Sequence, residues 1–245
     1  MAVGSPAETP AIRVEPLSPA VGLWIDGIDL LRLDSGAAAM IEDLWQLGGA
    51  LLFRAQSLPA EAAGKLAAVL GKGPVPESGE GDRTATVTGA WAMPGSALAV
   101  PPKALVFAAA DAAPGLMLAG MEAAADAMRM EDPDFLSQIA GARAPHVTGG
   151  PVHPVLHRHP LSGEVCFYPP PPAQAGFPGA AALADYVGQE RFCCMLEWQA
   201  GDVLAIDPRT VLCRWSSGRD EAMSAILVPG AAPLLETRGA FGDWE

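Results

Sequence analysis

The sequence predicts a β-rich α+β fold, an antiparallel sandwich or distorted barrel that carries helices on one face. Strand-like runs dominate both ends of the 245-residue chain. Helix-like segments with recognisable start and stop residues occupy the first third and the middle, and no stretch repeats. Periodicity alone does not separate a jelly roll from other mixed architectures.

Taken in order, residues 1–11 are rich in Pro, Ser and Ala without periodicity and read as a flexible arm; residues 12–245 read as one domain. "IRVEPLSPAVGLWIDGIDL" from Ile12 alternates β-like runs with Pro and Gly breaks, which predicts short strands. Residues 36–48 place Met40, Ile41, Leu44, Trp45 and Leu47 near helical spacing before a Gly stop. "ALLFRAQ" (50–56) reads as a buried strand, and 59–71 as a helix opened by Pro and closed by Gly. Segment 72–89 reads as a charged loop, and 101–109 as a strand after a Pro pair. Residues 121–142 read as two short helices broken at "EDPD", with Pro133 in a first turn. "VHPVLHRHPLSGEVCFY" (152–168) reads as a hairpin around "PLSG". The prolines that follow cannot supply ladder donors, which rules out a central strand there. A helix near 180–189, a strand "FCCMLEWQ", a turn "AGD", a strand "VLAID" and a last strand "AMSAILVPG" complete the pattern.

Half the residues are hydrophobic, enough for a large core. The formal net charge of −13 argues against nucleic acid and against anionic membranes as partners. It does not exclude an anionic small molecule, because one buried Arg can bind a carboxylate locally. The start lacks a basic segment followed by an apolar one, and no uncharged apolar run approaches the roughly 20 residues of a membrane span. Cys166, Cys193, Cys194 and Cys213 in a chain this long do not suggest a disulfide framework, so a reduced, cytoplasmic compartment is expected. The Ala/Gly/Pro-rich composition resembles that of proteins from high-GC bacteria.

Several segments together resemble the TauD/TfdA family of iron(II)- and 2-oxoglutarate-dependent oxygenases. "PLSPAVGLWIDGIDL" (16–30) is similar to the family's opening strands, and 44–71 to its helix, strand and helix. Trp91 precedes Pro101-Pro102 by the family's usual ten residues. "HPVLHRHPLSGEVCFY" (153–168) and "WQAGDVLAIDPRTVLCR" (198–214) resemble two further family segments. The resemblance implies a double-stranded β-helix, a cupin-like jelly roll with flanking helices, over most of the chain. It also implies what is missing. Where the family reads Trp-His-x-Asp and, later, a distal His, this chain has Trp91-Ala92-Met93-Pro94 and Cys213. Those three family residues form a 2-His-1-carboxylate iron triad. Ala92 and Pro94 offer no donor, and one Cys is not such a site. Iron and 2-oxoglutarate are therefore expected to be absent.

The resemblance further implies that Arg219 matches the Arg that holds the far carboxylate of 2-oxoglutarate, if the preceding loop is shorter; otherwise that position falls near Ser224. A family Thr is replaced around Gly115 to Met117, and a second Arg by Met223. Trp91, Ala92, Met93, Pro94, Cys213, Arg214, Arg219 and Met223 become the candidate substrate-binding set. Arg219 either binds a carboxylate or pairs with Asp220 or Glu221 in a solvated loop.

Cys213 and His157 are the candidates for catalysis. Cys213 is either a nucleophile activated by a nearby cation or a small buried hydrophobe. His153, His157 and His159 would share one face if 153–159 were a single strand, a geometry open to a metal; the alternative is that His153 and His159 are structural. Cys193-Cys194 reads as buried strand, and Asp207 with Arg209 as a turn lock. The expected function is a metal-independent enzyme of bacterial secondary metabolism that acts on an organic small molecule by cyclisation, isomerisation or elimination. The alternatives are an inactive pseudoenzyme that binds or scaffolds a partner enzyme, and an oxygenase with relocated ligands. By resemblance a homodimer is plausible.

Overall fold

Local chemistry sets the helix ends as the sequence predicts. Asp34 accepts from the Ala37 amide at 2.8 Å and opens α1, Ser35–Gly48, which Gly49 closes at φ 63°. Pro59 starts α2, Pro59–Gly71. α3, Met121–Glu131, gives way to α4, Pro133–Ile139, where Asp132 accepts from the Phe135 amide at 2.9 Å and Pro133 fills the first turn. The proline run forms the short helix α5, Pro172–Ala175, followed by α6, Ala180–Val187. The computed structural model describes residues 11–72, 82–87, 89–111, 113–218, 221–230 and 234–236, without the side chains of 82–86 and 221–224. The expected arm falls almost wholly outside that range.

The strands are β1 Arg13–Pro16, β2 Leu23–Asp26, β3 Ala50–Phe53, β4 Asp82–Val87, β5 Ala104–Ala108, β6 Leu116–Gly120, β7 Arg143–Pro145, β8 Val152–Pro154, β9 Leu156–Arg158, β10 Val165–Phe167, β11 Cys193–Leu196, β12 Val203–Ile206, β13 Val211–Trp215, β14 Glu221–Val228 and β15 Leu235–Glu236. Seven form the large sheet β1-β2-β3-β12-β5-β14-β4, antiparallel except for the β2–β3 pair. A small sheet, β11-β6-β13, faces it. β10-β9-β15 and the pair β7-β8 complete the set among the described residues.

Alternation along the strands sorts side chains into three layers. Leu51, Phe53, Val106, Val203 and Ala205 pack outward under α1 and α2. Leu52, Leu105, Phe107, Leu204 and Ile206 point inward and meet Leu116, Leu118, Cys213 and Trp215 of the small sheet. The outer face of the small sheet, through Ala119 and Leu212, packs on α3, α4 and α6.

The structure corrects two expectations and adds a detail. Part of the expected loop 72–89 is strand β4, which pairs with β14 at the sheet edge; an edge strand need not be apolar, so its sequence hides it. The expected hairpin over 152–168 is only β9–β10, because Val155 interrupts the first arm and β8 pairs with β7 instead. The strands flanking "AGD" do not pair: β11 lies in the small sheet and β12 in the large one.

Candidate functional site

The Trp91–Pro94 stretch crosses β13 at the point the sequence comparison singles out. Ala92 and Cys213 form an isolated antiparallel bridge: the Ala92 amide donates to the Cys213 carbonyl at 3.1 Å, and the Cys213 amide returns the bond at 3.0 Å. Two candidate residues from distant segments thus meet backbone to backbone. Their side chains do not make an open site. Cys213 is 1% exposed among Leu118, Trp215 and their neighbours in the intersheet layer, and burial pushes its thiol up to about 12. Met93 is 2% exposed and packs in the other layer, with the helices, and Pro94 is also buried. Met93 and Cys213, both in the candidate substrate-binding set, are therefore divided by the small sheet.

Arg214 follows the strand alternation and points away from Cys213. Its guanidinium stacks over Trp91 at 5.0 Å, and Nη2 reaches the Met117 sulfur at 3.2 Å. Its Nε is buried and makes no hydrogen bond. Arg219 lies outside the described residues; Met223 sits in β14 opposite Ala85, its side chain outside the description.

The histidines separate, which leaves the structural alternative for His153 and His159 rather than a shared metal-binding face. His146, His153 and His157 gather around the buried Tyr168 ring, at centroid distances of 4.6, 5.4 and 5.8 Å. His153 Nε2 contacts the Ser96 carbonyl at 3.0 Å. The ring nitrogens of His146 and His157 and the Tyr168 hydroxyl are buried without a hydrogen bond of good geometry. Burial holds both imidazoles down at about 3, helped by the neighbouring His153 for His146 and by His159 for His157. His157 is thus a sealed neutral ring. His159 turns elsewhere: Nε2 bonds Asp207 at 3.1 Å and Nδ1 meets the Ser162 hydroxyl at 3.1 Å.

Asp207 and Arg209 lock a turn, as the sequence indicates. Arg209 donates its amide and Nε to one carboxylate oxygen, at 2.9 and 2.8 Å, and Nη2 to the other. Burial works against the charge, but Arg209 and His159 hold the carboxyl below its usual range. Beside this cluster lies a cavity of about 230 Å³, lined by Glu122, Asp126, His159, Ser162, Asp207 and Thr210 among others. Burial, with Glu164 and Asp126 nearby, raises the Glu122 carboxyl. Sequence reasoning missed this hollow, although "HPLSG" and "IDPRT", the two motifs that meet there, were both visible.

Residues 13–217 match the sequence model of the family described as taurine catabolism dioxygenase TauD, TfdA family. The chain belongs to the TauD/TfdA family. Solved structures agree on the fold. A taurine dioxygenase from Burkholderia xenovorans is 21% identical, with 94% of each chain covered and a TM-score of 0.73. AAD-2, solved in complex with Mn(II) and N-oxalylglycine, is 20% identical over 92% of this chain and 100% of its own, with a TM-score of 0.75. No curated protein sequence matches the chain. The facing sheets are thus the jelly roll of TauD-like proteins, with flanking helices. No helix among the described residues is long and apolar enough to cross a membrane.

At the positions where the sequence resemblance puts the TauD/TfdA iron ligands, this chain carries a methyl, a proline ring and one buried thiol, a set without the chemistry of that site, and no group of three His, Cys, Asp or Glu among the described residues is arranged to hold a metal. Two of those positions, Ala92 and Cys213, fall side by side in space.

Proposed function

We propose that this TauD/TfdA-family protein has given up iron-dependent oxygenation and acts by binding an organic small molecule. The observation that carries the reading is the Ala92–Cys213 bridge, which sets a methyl-bearing residue beside a sealed thiol where the family resemblance puts two iron ligands. Between the forms of that reading, burial favours a binding protein over a metal-independent enzyme. Burial pushes the Cys213 thiol up to about 12 and the His157 imidazole down to about 3, both inside packed layers, so neither is poised to attack or to exchange protons with a substrate. The cavity beside Asp207 reads as structural, because His159, Asp207, Ser162 and Arg209 bond mainly to one another. A binding protein of this kind serves a pathway by presenting or sequestering an intermediate, alone, as a homodimer or beside a partner enzyme.

The test is turnover. Purified protein is incubated with iron(II), ascorbate, 2-oxoglutarate and oxygen, and succinate is measured. The reading expects succinate at the level of a protein-free control; catalytic succinate release sinks it.

A further inference from the structure

Arg214 is a cation whose surroundings are built for a partner the chain does not supply. Arg54, Arg191 and Arg209 each sit on a carboxylate. Among the described residues no carboxylate pairs with Arg214, in a chain carrying 28 acidic residues. It receives instead the Trp91 ring and the Met117 thioether, a weak acceptor in the place of an oxygen. The donors therefore remain under-used, and a buried Nε without an acceptor costs stability.

The neighbours define what fits. Across the outer face of the small sheet, Met195 lies opposite Met117, and Met117 opposite Arg214. Met195 is 50% exposed, so the row opens to solvent at that end. Gly115 keeps the rim clear: a Cβ there would come within 2.9 Å of both the Met195 sulfur and the exposed Ser216 hydroxyl. The row thus runs from two thioethers to a guanidinium backed by an indole.

We propose that this face binds an organic carboxylate with an apolar tail. The carboxylate displaces the Met117 sulfur and takes the Nε–Nη2 edge of Arg214 in a bidentate pair, while the tail lies along Met117 and Met195. Met117 is unbranched and can swing aside without disturbing the strand. This assignment names the ligand class of the binding reading above and rests on it.

Calorimetric titration with phenylacetate and its uncharged counterpart phenylacetamide tests the site. Wild type should bind the acid at least tenfold more tightly than the amide. Arg214→Gln should erase that preference with the thermal midpoint nearly unchanged, and Arg214→Lys, which keeps charge but loses the planar edge, should fall between. The wild-type Arg214 Nε–H resonance provides a second reading that does not depend on how the variant folds: it should shift with the acid and not with the amide. Equal affinity for acid and amide, an unshifted Nε–H, or a folded Arg214→Gln that binds the acid like wild type overturns the proposal. A failed titration without succinate turnover sinks this site alone. Iron-dependent turnover sinks the broader reading, and the titration then judges Arg214 by itself.

Discussion

Cys213 shows how one residue separates the readings the sequence left open. Its thiol lies in the intersheet layer, where burial raises its pKa, and the adjacent Arg214 points to the other face. In native protein at pH 8, iodoacetamide should leave Cys213 unmodified and label it only after denaturation, as read by peptide mass spectrometry. Labelling at the rate of a free thiol would restore the nucleophile. Arg209 makes the opposite kind of case, a charge buried for structure. It is 2% exposed and holds both oxygens of Asp207, so Arg209→Ala strands a buried carboxylate. The expected loss is about 3–5 kcal/mol of unfolding free energy in urea titrations. A loss under about 1 kcal/mol would mean that His159 and the residue-209 amide together satisfy Asp207.

At the level of elements, legibility followed the strength of local signals. The helices at 36–48 and 59–71 could be placed because Pro59 and the closing glycines mark their ends, and "EDPD" marked the α3–α4 break. β6 escaped because Leu116–Gly120 is apolar on both faces and shows no alternation to read. β4 escaped because it is polar and takes its identity from β14 across the ladder. Of the candidate site, the residue types were visible in the sequence, but the sides they face were not: Met93 and Cys213 are separated by a sheet whose existence depends on β6. Two glycines test this packing with opposite signs. A Cβ at Gly120, the end of β6, would collide with the Ala20 carbonyl, so Gly120→Ala should cost roughly 1–3 kcal/mol. Gly64 in α2 has open space, so Gly64→Ala should add roughly 0.5–1 kcal/mol. Thermal unfolding of both variants checks the pair, and equal shifts would contradict the packing described.

For the whole molecule, the buried histidines tie stability to pH. His146 and His157 stay neutral in the folded state down to about 3, whereas in the unfolded chain they take up protons near 6.5. Their contribution is complete above about pH 6.5 and is lost as pH falls from there towards 3. Asp207, with its carboxyl lowered, adds a further loss below the ordinary carboxylate range. The urea midpoint should fall steadily between pH 6.5 and 4, and His157→Leu should flatten that slope. An unchanged slope would mean the ring is not sealed.

The same sealed interior bears on the central proposal, that this jelly roll of the TauD/TfdA family has given up iron chemistry. Anaerobic titration with iron(II) in the presence of 2-oxoglutarate tests it most directly, with bound metal quantified and the absorption of the iron–2-oxoglutarate chelate recorded. The account predicts iron far below one per chain and no chelate band. One iron per chain with that band would contradict it.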